Sequence, residues 1–177
     1  TQADSYDGGT GTQADPYQIA TGEQLYRLAM QTNMEAADAS AYYVLTADID
    51  MGGRDTYIAI GCDSSTAFTG SLDGADYTIS NISIDNDGDG YAGLFGNLKG
   101  TVKDLTVDNI TIVNGGQRTG GIAGSSTNAA AITNCTVKNS SIAGANYVGG
   151  LGGFCAAAVS GCVVMDTAVT GGMYSGG

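Results

Sequence analysis

Thr119-Gly120-Gly121-Ile122-Ala123-Gly124, followed by Ile132-Thr133-Asn134-Cys135-Thr136-Val137, decides how the rest of the chain is read. Both halves recur. The glycine-rich half returns as Tyr91-Ala92-Gly93-Leu94-Phe95-Gly96 and as Val148-Gly149-Gly150-Leu151-Gly152-Gly153, which spaces Gly93, Gly121 and Gly150 by 28 and 29 residues. The second half sets an apolar residue, two polar or small ones, an apolar one, any residue, and a further apolar one. It occurs at Ile79, Ile82 and Ile84, at Val102, Leu105 and Val107, at Ile132, Cys135 and Val137, and at Val159, Cys162 and Val164. A unit of about 28 residues with two or three short strands cannot bury both its faces alone, so stacked copies must supply one another's core.

In a parallel coil, matching residues of successive turns lie about 4.8 Å apart. The spacing therefore predicts one inward column of Ile79, Val102, Ile132 and Val159, and another of Ile82, Leu105, Cys135 and Cys162. Asn81, Asp104, Asn134 and Gly161 then mark a corner where amides bond along the stack. Glycine belongs wherever a corner needs positive φ or a close backbone approach. The fold expected is all-β: a parallel β-solenoid over residues 78–177, continuous as one domain with an N-terminal cap region over 1–77. In that cap, Thr21 and Gln24 form a capping box before an apolar stripe of Leu25, Leu28 and Ala29, which predicts a helix ending near Thr32 or Asn33. Met34 to Ser40 reads as a prolongation of the helix or a loop. Tyr42 to Leu45 reads as a strand, and Tyr57 to Leu72 as short β stretches punctuated by Gly61 and Gly70.

With 177 residues the chain fits one domain and little more. Charged residues make up 14%, against about 25% in ordinary globular domains, so the surface must be neutral and rich in hydroxyl groups. Eighteen acidic side chains against six basic ones give a net charge of −12. That sign opposes the counterion release that drives nucleic-acid binding and repels anionic lipid. Histidine is absent, which removes imidazole as general base, triad member or zinc ligand. No leader-like segment opens the sequence at Thr1, and no window has the apolar length of a membrane span, so an exported protein would be in its mature form. Cys62, Cys135, Cys155 and Cys162 match no metal-ligand spacing, and they allow three disulfide pairings or none. The register places Cys135 over Cys162 with parallel Cα–Cβ vectors, which favours stacked thiols over a bridge.

The glycine motifs at Gly93-Leu94-Phe95-Gly96, Gly121-Ile122-Ala123-Gly124 and Gly150-Leu151-Gly152-Gly153 resemble the GLUG repeat of large bacterial and archaeal surface proteins, adhesins among them. The stretches from Gly11 to Ile19, Glu23 to Leu25, Leu45 to Asp50, Phe68 to Gly74 and Tyr77 to Asn81 resemble the usual lead-in to such repeats. The resemblance spans nearly the whole chain from Gly11. It implies a right-handed, β-helix-like solenoid with a short N-terminal capping helix, and it brings no catalytic residues. Gly152 and Gly153 depart from the pattern, where a bulky apolar residue is usual.

Asp85-Asn86-Asp87-Gly88-Asp89-Gly90 is the ligand candidate, because Asp85, Asp87 and Asp89 take positions one, three and five of a calcium loop with glycine at six. Position twelve is Gly96, so the bidentate glutamate is missing and a neighbouring turn would have to contribute. An acidic surface turn has the same composition. Asp48 and Asp50 share one face of a strand and form a weaker candidate. Arg118, Lys99 and Lys103 are available to a polysaccharide-cleaving site, but no spacing pairs them with particular carboxylates. No phosphate-binding loop occurs, and Thr101, Thr106 and Thr111 do not recur as an ice-binding array. Sequons at Asn81, Asn109, Asn134 and Asn139 matter where the source glycosylates asparagine, and equally describe polar corners.

The functional expectation is a non-enzymatic, extracellular cell-surface module, an adhesin, stalk or filament subunit. Its partners would be other copies of itself, head to tail, or further repeats of a longer chain. Surface glycans or host-cell ligands, but neither nucleic acid nor an inserted membrane segment, complete the list. The sequence stops at Tyr174-Ser175-Gly176-Gly177, which looks like the opening of another glycine motif. The rival expectation is a carbohydrate-binding or carbohydrate-active solenoid with a calcium site at Asp85, Asp87 and Asp89.

Overall fold

Thr21 ends the first strand, β1 (Tyr17–Ile19), and starts the helix α1 (Gly22–Asn33). Its hydroxyl accepts the Gln24 N–H at 3.3 Å while the Gln24 side-chain oxygen accepts the Thr21 N–H at 3.2 Å, the reciprocal box expected from the sequence. Leu25, Leu28 and Ala29 are fully buried and join the same core as the strands. Met34 closes the helix and a 3-10 turn spans Ala37–Ser40. The computed structural model describes residues 3–34, 37–53, 56–86, 90–113 and 116–176.

From there the chain winds. The lead-in turns carry β2 (Tyr42–Leu45), β3 (Ile49–Asp50), β4 (Ser71–Asp73) and β5 (Thr78–Asp85). One coil is built from β6 (Tyr91–Ala92), β7 (Phe95–Leu98), β8 (Thr101–Lys103) and β9 (Thr106–Val113). The next has β10 (Arg118–Gly120), β11 (Ala123–Ser126), β12 (Ala131–Thr133), β13 (Thr136–Lys138) and β14 (Ser141–Ala143). The last has β15 (Tyr147–Gly149), β16 (Gly152–Cys155), β17 (Ala158–Ser160), β18 (Val163–Met165) and β19 (Ala168–Thr170), and β20 (Tyr174–Gly176) begins a further turn. Every strand pair is parallel, so the molecule is a parallel β-solenoid with a short N-terminal helix. One ladder runs β1-β2-β4-β8-β12-β17, a second β6-β10-β15-β20 and a third β7-β11-β16. The fourth joins β3, β5, β9, β13 and β18, with β14 and β19 continuing from the far half of β9.

The register corrects the predicted columns in the earliest repeat. Val102 pairs with Ile132 and Ile132 with Val159, as expected, but the member below Val102 is Leu72. Ile79 stacks instead on Val107, followed by Val137 and Val164, and Ile82 stacks on Ile110. The reason is a short repeat inside each coil. Val102, Leu105, Val107, Ile110 and Ile112 alternate steps of three and two residues around two successive corners, so the three-apolar signature fits either corner equally well. All five are buried.

Glycine marks the places where adjacent coils pass closest. A β-carbon on Gly121 would lie 2.6 Å from the Gly150 carbonyl oxygen and 2.8 Å from a Val137 methyl. Neither can yield without opening the ladder. Along Phe95, Ala123 and Gly152, which are register partners, bulk declines toward the C-terminus. Gly152 and Gly153, the departures from the repeat pattern, still form part of β16. Large aromatic rings fill the N-terminal half: Tyr17, Tyr43, Phe68 and Phe95 follow one another at centroid distances of 5.6, 6.0 and 5.1 Å.

Candidate functional site

Three features face outward or lie open: the last coil, the two corner rows, and a ladder of planar side chains. The last coil repeats the inward columns, and among the described residues β20 alone lies above it. Ile132 is 0% exposed, whereas Val159 in the same column is 45% exposed. Val163, Met165 and Phe154 are exposed to a similar extent, and Met173 and Tyr174 more so. A shallow hollow of 610 Å³ lies here between Val148, Gly149, Gly152, Gly153 and Met173 to Gly176. Charge is scarce at this pole, since of the 18 acidic residues Asp166 alone follows Asp108. The cap end differs. Asp7 donates its N–H to the Gln18 carbonyl at 3.0 Å and Gly8 accepts from Gln18 at 2.9 Å, which closes the outer edge of β1.

The two corners hold their residues in the left-handed region. One row is Asp76, Asp104, Asn134 and Gly161, with φ of 66°, 52°, 51° and 64°. The other is Asn81, Asn109, Asn139 and Asp166, with φ of 58°, 57°, 52° and 46°. Asn81, predicted to share a corner with Asp104, Asn134 and Gly161, thus belongs to the second row, for the same phase reason as Ile79. Asparagine, aspartate and glycine are the residues that enter this region at least cost. Their side chains also bond from coil to coil. Asn81 Nδ2 donates to Asp50 Oδ1 at 2.7 Å, Asn109 Nδ2 to Asn81 Oδ1 at 2.8 Å, and Asn134 Nδ2 to Asp104 Oδ1 at 3.1 Å. Asn139 Nδ2 reaches Asp108 Oδ1 at 2.8 Å.

Tyr91, Arg118, Tyr147 and Tyr174 form the third feature, one residue per turn at spacings of 27, 29 and 27. The Arg118 guanidinium lies 5.1 Å from the Tyr91 ring centroid and 4.5 Å from that of Phe154, and donates to Ser125 Oγ at 2.8 Å. Tyr147 and Tyr174 stack at 4.9 Å. The sequence reading did not single this ladder out, although its regular spacing was the available signal.

Of the predicted metal ligands, Asp85 is the last residue of β5, exposed and opposite Val113, while Asp87 and Asp89 lie outside the described residues. Among the described residues no three Cys, Asp or Glu side chains cluster as a metal site. Asp48 Oδ1 accepts the Thr78 N–H at 2.8 Å, and Asp50 accepts from the Asn81 side chain and from the Gly52 N–H, so these two carboxylates serve the backbone and the corner row. Those bonds hold the Asp50 carboxyl below its ordinary range. Lys103 bridges Asp73 at 2.7 Å and Asp104 at 3.5 Å, which raises its pKa and leaves it charged, unlike a general base. The cap has a hollow of 230 Å³ lined in part by Tyr6, Tyr17, Arg27 and Asp38, but Tyr6 donates to Asp38 at 2.7 Å and Arg27 lies over the Tyr6 ring. Tyr6 and Asp38 thus serve each other and Arg27 donates to the Ala3 carbonyl at 3.3 Å, while the buried Arg27 Nε has no hydrogen-bond partner among the described residues.

The four cysteines are free thiols. Cys135 and Cys162 point the same way along the stack, each Sγ toward a carbonyl of the coil before, Val102 at 3.9 Å and Ile132 at 3.5 Å. Burial pushes the Cys135 thiol up to about 12. No helix among the described residues is long and apolar enough to cross a membrane.

Residues 115–143 match the family model described as the GLUG motif, and that span is essentially one coil, β10 to β14. Halomucin of the archaeon Haloquadratum walsbyi is 36% identical over 155 residues, 81% of this chain, which spans only 2% of halomucin's length. A crystal structure of a Bacteroides ovatus protein named as an immunoglobulin A1 protease superposes with a TM-score of 0.61 at 20% identity, over 94% of this chain and 61% of that one. At that identity the likeness is one of fold. The chain thus carries a GLUG motif within a parallel β-solenoid and is similar in sequence to a small part of the archaeal halomucin.

Proposed function

We propose that the chain is a spacer and display module of a cell-surface adhesin or stalk, extended by stacking more β-coils on its C-terminal face. One observation carries the reading: Val159, Val164 and Val169 continue in register the columns of Ile132, Val137 and Ile142, and no strand among the described residues pairs beyond them. An apolar end with unpaired strand edges is a template for further parallel strands. The scarcity of charge there removes repulsion that the acidic cap end would impose. Growth on this face by further coils, or by a second copy, fits better than head-to-tail contact, because Asp7 and Gly8 already bond the β1 edge. Sedimentation velocity on the chain and on a Val159→Lys, Val163→Lys variant tests this. Concentration-dependent association lost in the variant supports it, whereas association unchanged by the lysines contradicts it.

The rival reading, a glycan-binding module using calcium at Asp85, Asp87 and Asp89, rests on the loop spacing. Calorimetry with calcium alone separates the two: saturable uptake abolished by Asp85→Asn favours the rival, and no heat removes its ligand set.

A further inference from the structure

We propose that the corner asparagines Asn81, Asn109, Asn134 and Asn139 are acceptors for N-linked glycans. Each is exposed and each begins an Asn-x-Ser/Thr triplet. The middle residue, Ile82, Ile110, Cys135 or Ser140, turns into the core. The hydroxyl residue, Ser83, Thr111, Thr136 or Ser141, then returns to the surface side.

Corner geometry explains the asparagine but not the whole triplet. Where the left-handed position holds Asp76, Asp104, Gly161 or Asp166, the residue two further on is Thr78, Thr106, Val163 or Ala168. Valine and alanine are therefore tolerated at that place. Behind the asparagines it is serine or threonine every time. A solenoid corner asks only for a residue that accepts positive φ, whereas N-glycan transfer asks for the hydroxyl as well.

The ladder and the modification are compatible. A carboxamide has two N–H bonds, and the contact to the neighbouring coil needs one. Transfer from a lipid-diphosphate-linked oligosaccharide forms a bond from Nδ2 to the sugar anomeric carbon and breaks that carbon's bond to the diphosphate. The lipid diphosphate leaves and Nδ2 gives up one proton to a base, with no change of oxidation state. The remaining N–H still donates along the stack. Crowding ranks the sites. Asn81 and Asn109 are in direct contact at 2.8 Å on adjacent coils, too close for two sugars side by side, so their row fills incompletely. Asn134 has Asp104 on one side and Gly161, without a side chain, on the other, and fills completely.

Secretion of the chain from an N-glycosylating cell, beside a control protein with a known sequon, tests the proposal by glycopeptide mass spectrometry. The expected result is a glycan on Asn134 and on at least one of Asn81, Asn109 and Asn139. Thr136→Ala keeps the asparagine and its bond to Asp104, and is expected to lose the Asn134 glycan without a shift in Tm. Four unmodified asparagines alongside a modified control overturn the proposal, as does an Asn134 glycan that survives Thr136→Ala.

Discussion

Ile132 and Val159 occupy one column on neighbouring coils, yet the first is sealed and the second is 45% exposed. Their sequence settings are alike, with a small or hydroxyl residue on each side and a corner two positions on. The difference lies outside the residue, in whether another coil covers it. In a solenoid, burial is a property of neighbours, and stability passes from coil to coil in nearest-neighbour steps.

The comparison is broken most severely by removing the covered member. Ile132→Ala is expected to cost about 2–5 kcal/mol, because it opens a cavity between two coils that cannot close without shifting the ladder. Val159→Ala should cost no more than about 1 kcal/mol, since half its surface gains little from folding. Urea denaturation of both variants checks the ratio. Equal losses would mean that the last coil is covered after all.

Corner chemistry comes next. Asn109→Ala removes the carboxamide that donates to Asn81 and leaves a less tolerant residue at φ of 57°, for an expected loss of about 1–2 kcal/mol. Asn109→Gly should recover part of this by relieving the backbone. A glycine variant no more stable than the alanine one would assign the effect to the ladder bond instead. At the cap, Thr21→Ala is expected to cost about 1 kcal/mol, read by denaturation and by faster amide exchange in α1.

The smallest effect is acidic. Asp63 accepts from the N–H and hydroxyl of both Ser65 and Thr66, and these bonds lower its pKa; Asp50 is lowered by Asn81 and Gly52. A depressed carboxylate adds stability that is complete above its unfolded value of 3.8 and is lost as pH falls through the folded one. A Tm series from pH 7 to pH 2 should therefore stay flat for these groups until about pH 4 and decline below it. Asp63→Asn should flatten part of that decline.

Much of this was legible beforehand. The period of the glycine motif, the capping box at Thr21 and Gln24, and the stacked thiols of Cys135 and Cys162 all follow from spacing. The phase of the earliest repeat did not. Ile79-Ile82-Ile84 and Val102-Leu105-Val107 have the same steps because both wrap a left-handed corner, and only the hydrogen-bonded register separates one corner from the other. Asn109 and Asn139 were recognisable as polar corners, but for that reason not as one row with Asn81. Among candidate sites, the continuation of the glycine period at Tyr174 to Gly176 was visible. The Tyr91, Arg118, Tyr147 and Tyr174 ladder was not, since an arginine standing among tyrosines disguises the column.

Hydrogen–deuterium exchange, resolved by coil and repeated at low and high protein concentration, tests the claim that each coil is protected by the next. Slow exchange is expected in β8 and β12 throughout, with β17 to β20 fast when dilute and slower when concentrated. Protection in β17 equal to that in β12 at the lowest concentration, or fast exchange there at every concentration, would contradict the account.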